Sequence, residues 1–196
     1  MKFLIASNNK HKVDEIRSKF NDMNIEILTP DDISLFNFEV EETEITLQGN
    51  AFLKAKAFFD KTGISSFSDD TGLFVEELKG RPGVYSARYA GDHCSYIDNC
   101  NKLLRELENK ANRKAYFETV ICFYDGDEGS FISGRCDGQI TKEMLGSNGF
   151  GYDPIFLPSG YDKTFAELHI DIKNKISHRG RAVDNFINFI KNKYHL

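Results

Sequence analysis

Residues 177–181, Ser177-His178-Arg179-Gly180-Arg181, gather a hydroxyl, an imidazole and two guanidiniums just ahead of an apolar rhythm: Ala182, Val183, Phe186, Ile187, Phe189 and Ile190. The rhythm has helical spacing, so the motif reads as a helix opening. Such an opening collects unpaired backbone N–H groups and the positive end of the macrodipole, and it favours anionic or carbonyl-bearing ligands. Ser177 is suited to cap it. Cations placed there oppose the dipole, which points to a ligand rather than to helix stability; a solvated basic turn is the plainer alternative. Lys173, five residues before His178, is close enough to join the same pocket.

Asp69-Asp70-Thr71-Gly72 sets two carboxylates side by side at an expected strand end. Such groups repel, and burying them without a counter-charge is costly. A Mg²⁺ ion makes them reasonable, because a hard cation takes carboxylate oxygens and shares its site with substrate phosphates. Glu39, Glu41, Glu42 and Glu44 offer further ligands on a preceding loop, most of which is expected to be a solvated acidic face. Near the start, Ser7-Asn8-Asn9-Lys10-His11-Lys12 forms a polar loop between a strand and a helix, a place where α/β proteins hold phosphates. The pattern GxxxxGK[ST] is absent, so this is not a P-loop, and a capped turn is the alternative. Phe150-Gly151-Tyr152-Asp153-Pro154 sets aromatic rings beside glycine, which suits stacking on a flat base with Asp153 as an acceptor; a turn with two core aromatics is the alternative. His93, His169 and His195 have no partners at useful spacing and read as surface residues.

These groups need a scaffold. Residues 3–6 and 25–28 read as strands, and from Lys12 the residues Val13, Ile16 and Phe20 mark one helical face. A connection over 29–39 leads to a helix over 47–59, weakened in its first turn by Gly49. Short strands over 64–68 and 73–75 flank the paired aspartates, and residues 80–83 read as a turn. Ile97, Cys100, Leu103, Leu104 and Leu107 make an amphipathic helix. Residues 115–124 and 130–137 form a hairpin, 146–152 a glycine-rich loop, and 177–193 the last helix. Strands alternating with helices, plus a hairpin, indicate an α/β protein with a mixed sheet. The 196 residues suit one large domain or two closely joined lobes. A net charge of -5 argues against a nucleic-acid polymer as partner, though not against a small phosphorylated ligand. Cys94, Cys100, Cys122 and Cys136 lack CxxC or zinc-ligand spacing, so reduced thiols are expected. The apolar run at the start is too short for a signal peptide, and no stretch approaches a membrane span, so a cytoplasmic protein is expected.

The ordered motifs SNNKHK, DDTG, RPGVYSARYAG, GFGYDPIF and KNKISHRG resemble the non-canonical purine nucleoside triphosphate pyrophosphatases, enzymes that hydrolyse ITP and XTP, over residues 4–183. The resemblance implies hydrolysis of ITP, dITP and XTP to monophosphate and pyrophosphate, with Mg²⁺, in a homodimer. It implies one domain over residues 1–196: an elongated mixed sheet flanked by helices, in two lobes with the active-site cleft between them. Carried over by motif, Ser7, Asn8, Asn9, Lys10, His11 and Lys12 bind the triphosphate. Asp70 is the general base and a metal ligand, Glu41 of the Glu41-Glu42 pair the second metal ligand, and Thr71 a substrate contact. Phe150, Gly151, Tyr152, Asp153, Lys173, His178 and Arg179 hold the nucleoside and base. Three departures stand out. Ser7-Asn8-Asn9 replaces Thr-Gly-Asn, and asparagine tolerates a left-handed backbone. DDTG replaces DDSG and keeps the hydroxyl. Gly49-Asn50-Ala51 replaces Glu-Asn-Ala and lacks the glutamate.

The chemistry is coherent without the family. A triphosphate carries dense charge, which Lys10, Lys12 and Mg²⁺ can neutralise while Asp70 deprotonates a water aimed at the α-phosphorus. Donors from Lys173, His178 and Arg179 favour the 6-keto oxygen of hypoxanthine or xanthine over the amino group of adenine. Guanine shares the 6-keto group, so its rejection requires a feature at the 2-position. The rival readings are a pyrophosphatase for standard or modified pyrimidine triphosphates, separated by a substrate panel, and a non-catalytic nucleotide sensor, against which Asp69-Asp70 argues.

Overall fold

The computed structural model describes residues 1–20, 24–36 and 38–196; residue 37 of the expected 29–39 connection lies outside them. In chain order the elements are β1 (Lys2–Ile5), α1 (Lys10–Ser18), β2 (Glu26–Leu28), α2 (Leu47–Thr62), β3 (Ser66–Val75), β4 (Pro82–Gly83), α3 (Tyr96–Glu106), β5 (Lys114–Tyr124), β6 (Gly129–Ile140), β7 (Phe156–Pro158), α4 (Ile170–Ile176) and α5 (His178–Tyr194). The sheet runs β2-β1-β3-β5-β6-β7, with β4 paired to β3. β1 is parallel to both neighbours, placing Leu4 opposite Leu28 and Ser66, whereas β3–β4 and β6–β7 are antiparallel. This is the mixed α/β sheet that the alternating pattern implied.

The chain divides into two compact units. The first comprises Met1–Asp70, Thr119–Gly134 and Arg179–Leu196; the second comprises Thr71–Glu118 and Arg135–His178. In the first, the apolar run of β1 is buried on both faces, as parallel strands are, and Phe3 and Ile5 pack with Val13 and Ile16 of α1 and Phe186 of α5. In the second, Leu73 and Val75 of β3 pack with Leu103 and Leu107 from α3 and its end, Phe117 of β5, and Phe156 and Phe165.

Four local features depart from the sequence expectation. α1 starts at Lys10, because the Asn9 side chain accepts from the Lys12 N–H as an N-cap; Lys10 and His11 are therefore helical. β3 is one strand of ten residues that runs straight through Asp69-Asp70-Thr71-Gly72 instead of two strands flanking a turn. Aspartate and glycine are poor strand formers, but a Cβ at Gly72 would sit 2.8 Å from the Gly83 carbonyl oxygen, so glycine lets β4 approach. That pairing also turns residues 82–83 of the expected turn into a strand. Finally, Ser177 adopts an extended conformation that ends α4 and separates it from α5, so Lys173 stands on a helix of its own.

Candidate active site

Successive side chains of a strand point to opposite faces, and β3 thereby gives its two aspartates different surroundings within the first unit. Asp69 is buried, and its Oδ2 lies 3.3 Å from the Lys12 ammonium and 3.2 Å from both Nε and Nη2 of Arg179. Arg179 Nη1 donates to Glu15 Oε2 at 2.7 Å, so two carboxylates fix the plane of the buried guanidinium. Burial alone raises the Asp69 carboxyl, but Lys12, Arg179 and Lys54 outweigh it and hold the group well below the usual carboxylate range. Burial pushes Lys12 down, against the pull of Asp69.

Asp70 faces α2. Lys54 Nζ lies 3.3 Å from its Oδ1, 2.5 Å from Glu42 Oε1 and 2.9 Å from the Asp69 carbonyl oxygen. Asn50 Nδ2 donates to the other Asp70 oxygen at 3.4 Å. Burial raises the Asp70 pKa, opposed by Lys54 and assisted by the neighbouring negative charge of Glu42. The carboxylates of Asp70, Glu42 and Asp69 raise Lys54 despite its burial. The problem of two adjacent buried carboxylates is resolved by separate cations.

The loop before α1 also belongs to the first unit. The Asn9 N–H donates to Ser7 Oγ at 3.2 Å, and Asn8 Nδ2 donates to the Phe38 carbonyl at 3.2 Å. Lys10, His11 and Glu41 are exposed.

The second unit holds the aromatic group. Lys173, buried on α4, donates to Asp153 Oδ2 at 2.7 Å and sits 5.0 Å from the centre of the Phe150 ring. The same carboxylate oxygen accepts from the Phe150 N–H at 2.8 Å, which ties the ring to the ion pair. Gly149 makes this possible: its φ is +77°, and a Cβ there would stand 2.0 Å from Asp153 Oδ2. The Tyr152 hydroxyl donates to the Ser86 carbonyl at 2.8 Å, which makes Tyr152 a buried anchor rather than an open stacking surface. His178 is buried and stacks on Phe117, ring centres 4.4 Å apart and planes 19° apart. Thr71 is half-buried on β3. A cavity of about 360 Å³ opens beside Lys173 and is lined by Asn148, Gly149, Phe165, Leu168, His169 and Ile170. His93 and His195 are exposed, as expected; His169 is exposed too, and it caps α4.

The division between units falls inside two motifs: Asp70 belongs to the first and Thr71 to the second, His178 to the second and Arg179 to the first. Sequence reasoning missed Asn50, Lys54 and Glu15. The signal for the first two was present, since positions 50 and 54 fall on the stripe of Leu47, Ala51, Ala55 and Phe58 that α2 buries. A polar residue on a buried stripe requires a partner.

The chain is 50% identical over 190 residues to a dITP/XTP pyrophosphatase of Flavobacterium johnsoniae, covering 97% of this chain and 98% of that protein. It is 44% identical to the protein of the same name from Aquifex aeolicus, covering 98% of each. The solved Ham1 protein of Staphylococcus aureus superposes with a TM-score of 0.89 at 38% identity, over 98% of this chain and 100% of that one. A HAM1 protein from Coxiella burnetii gives 0.90 at 34% identity, over 98% and 99%. A family model described as the Ham1 family matches residues 3–189. On sequence and on fold alike, this chain belongs to the Ham1 family.

Proposed function

We propose that this chain hydrolyses ITP, dITP and XTP to the nucleoside monophosphate and pyrophosphate. The observation that carries the reading is Asp70, a buried carboxylate of raised pKa held by Asn50 and Lys54 in the unit that also bears Lys12. A carboxylate more basic than usual is suited to take a proton from water, and the names of the relatives support the reaction. Residues 7–12, with Lys10 and Lys12 as the cations, bind the triphosphate. Thr71 contacts the substrate. Phe150, Gly151, Tyr152 and Asp153 support the base, and Lys173, His178 and Arg179 turn donors to it. A 6-amino group facing those donors is disfavoured where a 6-keto oxygen is accepted.

Among the described residues no group of three or more His, Cys, Asp or Glu side chains is arranged to hold a metal. Mg²⁺ nevertheless fits the donor set, because it is bound through one or two carboxylates together with substrate phosphates. Asp70 supplies one. Glu42 is engaged by Lys54, whereas Glu41 is exposed on the same segment, which supports Glu41 as the second. When bound, Mg²⁺ supplies charge neutralisation at the phosphates and acidity to water. The reading includes a single cytoplasmic homodimeric enzyme, which the family resemblance supports and light scattering tests for assembly.

A panel of purine and pyrimidine triphosphates tests the function, with pyrophosphate and orthophosphate assayed separately. Pyrophosphate from ITP, dITP and XTP is expected. Orthophosphate and a diphosphate as first products overturn it.

A further inference from the structure

Asn50 is fully buried, yet its side chain is polar. It stands four residues before Lys54 on α2, so both side chains leave the same face of the helix. Each takes one oxygen of the Asp70 carboxylate, Lys54 at Oδ1 and Asn50 at Oδ2. Each also takes one point of the acidic segment. Lys54 reaches Glu42, while Asn50 closes two hydrogen bonds on the Glu44 backbone, accepting from its N–H at 2.9 Å and donating to its carbonyl at 3.2 Å. A carboxamide provides the donor and the acceptor that this double contact needs. The neighbouring residue has a matching constraint. A Cβ at Gly49 would stand 2.7 Å from both Cβ and Cγ of Glu44 and 3.0 Å from Thr46 Oγ1. Glycine weakens the first turn of α2, but it leaves the space that the Glu44 stem occupies.

We propose that Asn50 is a positioning residue for the divalent cation, locking the Asp70 carboxylate and the segment that carries Glu41 into one unit, with Gly49 as the seat of that segment. The inference rests on the metal assignment above. It gives a role to a fully buried amide, and it explains a glycine where helix propensity disfavours one.

Mn²⁺ binding to the full-length protein without nucleotide, followed by electron paramagnetic resonance, tests it, together with the Mg²⁺ dependence of ITP hydrolysis. Residues that orient metal ligands typically contribute about 10- to 100-fold to metal affinity. Asn50→Ala is therefore expected to weaken Mn²⁺ binding about tenfold or more and to raise the Mg²⁺ needed for half-maximal rate in parallel, with KM for ITP at saturating Mg²⁺ unchanged. Gly49→Ala keeps the amide but displaces Glu44, and it is expected to shift Mn²⁺ binding in the same direction; if Asn50→Ala does not fold, this variant decides. Unchanged Mn²⁺ binding in the folded variants, with wild-type protein that binds the ion, overturns the role of Asn50. Wild-type protein that neither binds Mn²⁺ nor needs Mg²⁺ overturns the metal assignment itself, and this inference with it.

Discussion

Adjacent carboxylates on one strand behave oppositely here, and that contrast predicts opposite mutants. Asp69 has a depressed pKa, so its ionised form stabilises the fold. That stability is fully present above the ordinary aspartate range and is lost as pH falls through the folded value. Removing one member of a buried ion pair typically costs about 3–5 kcal/mol. Asp69→Asn is therefore expected to be strongly destabilised at pH 7 in denaturant titrations, with the gap to wild type closing in acid. Asp70 has a raised pKa, so its ionisation opposes folding at neutral pH. Asp70→Asn is expected to keep its melting temperature while kcat falls by about 10²-fold or more. Near-normal turnover at saturating Mg²⁺ removes Asp70 from the chemistry. Arg179 and Lys12 separate base reading from charge neutralisation. A guanidinium fixed by Asp69 and Glu15 is a rigid donor, and a missing charged hydrogen bond is worth about 1.5–3 kcal/mol, or roughly ten- to a hundredfold in kcat/KM. Arg179→Ala is expected to penalise ITP and XTP more than ATP, whereas Lys12→Ala weakens all triphosphates alike. Equal losses on ITP and ATP in Arg179→Ala assign that residue to charge alone.

At the scale of elements, the glycine-rich loop and α4 act together through one carboxylate. Asp153 receives both Lys173 and the Phe150 N–H, and Gly149 leaves the space for it. Gly149→Ala forces an alanine to positive φ and drives Asp153 aside. KM for ITP is expected to rise, while inhibition by inorganic tripolyphosphate, which has no base, is expected to stay unchanged because Lys10 and Lys12, proposed to bind the phosphates, belong to the first unit. Loss of tripolyphosphate inhibition in the same variant shows a general collapse instead. α2 shows the same economy of placement: its buried stripe is apolar except at Asn50 and Lys54, the two positions that meet Asp70.

For the whole molecule, the two compact units have separate apolar cores, one built on β1, α1 and α5 and the other on α3, β5 and β7. Three of the four cysteines are buried, Cys100 and Cys136 in the second of these cores and Cys122 beside Ala51, Ala55 and Tyr124, and Cys94 is partly accessible. Burial raises the Cys100 and Cys122 thiols to about 12, which suppresses the reactive thiolate further. A native thiol titration is expected to show one fast-reacting group per chain and the remainder only on unfolding. Several fast groups in the native protein contradict this burial.

The sequence was sufficient for the chemical inventory and for most of the elements. Apolar periodicity marked α2, α3 and α5, a single apolar run marked β1, and the order of five motifs marked the family, because such signals are local and survive without neighbours. It misread residues 64–75 as two strands, since aspartate and glycine look like turn formers until their partners are known. It overlooked α4, and it treated Lys54 and Asn50 as ordinary helix residues. What only the tertiary structure decided is which charge meets which. Arg179 reaches Asp69 across 110 positions of the chain, and Asn50 reaches Asp70 across 20. Residue types decide what a side chain can donate or accept. The pleat of β3 and the face of α2 decide that Asp69 becomes a fixed counter-ion to Lys12 and Arg179 while Asp70 meets Asn50 and Lys54, because a strand sends neighbours to opposite sides and burial makes every unpaired charge too costly to keep.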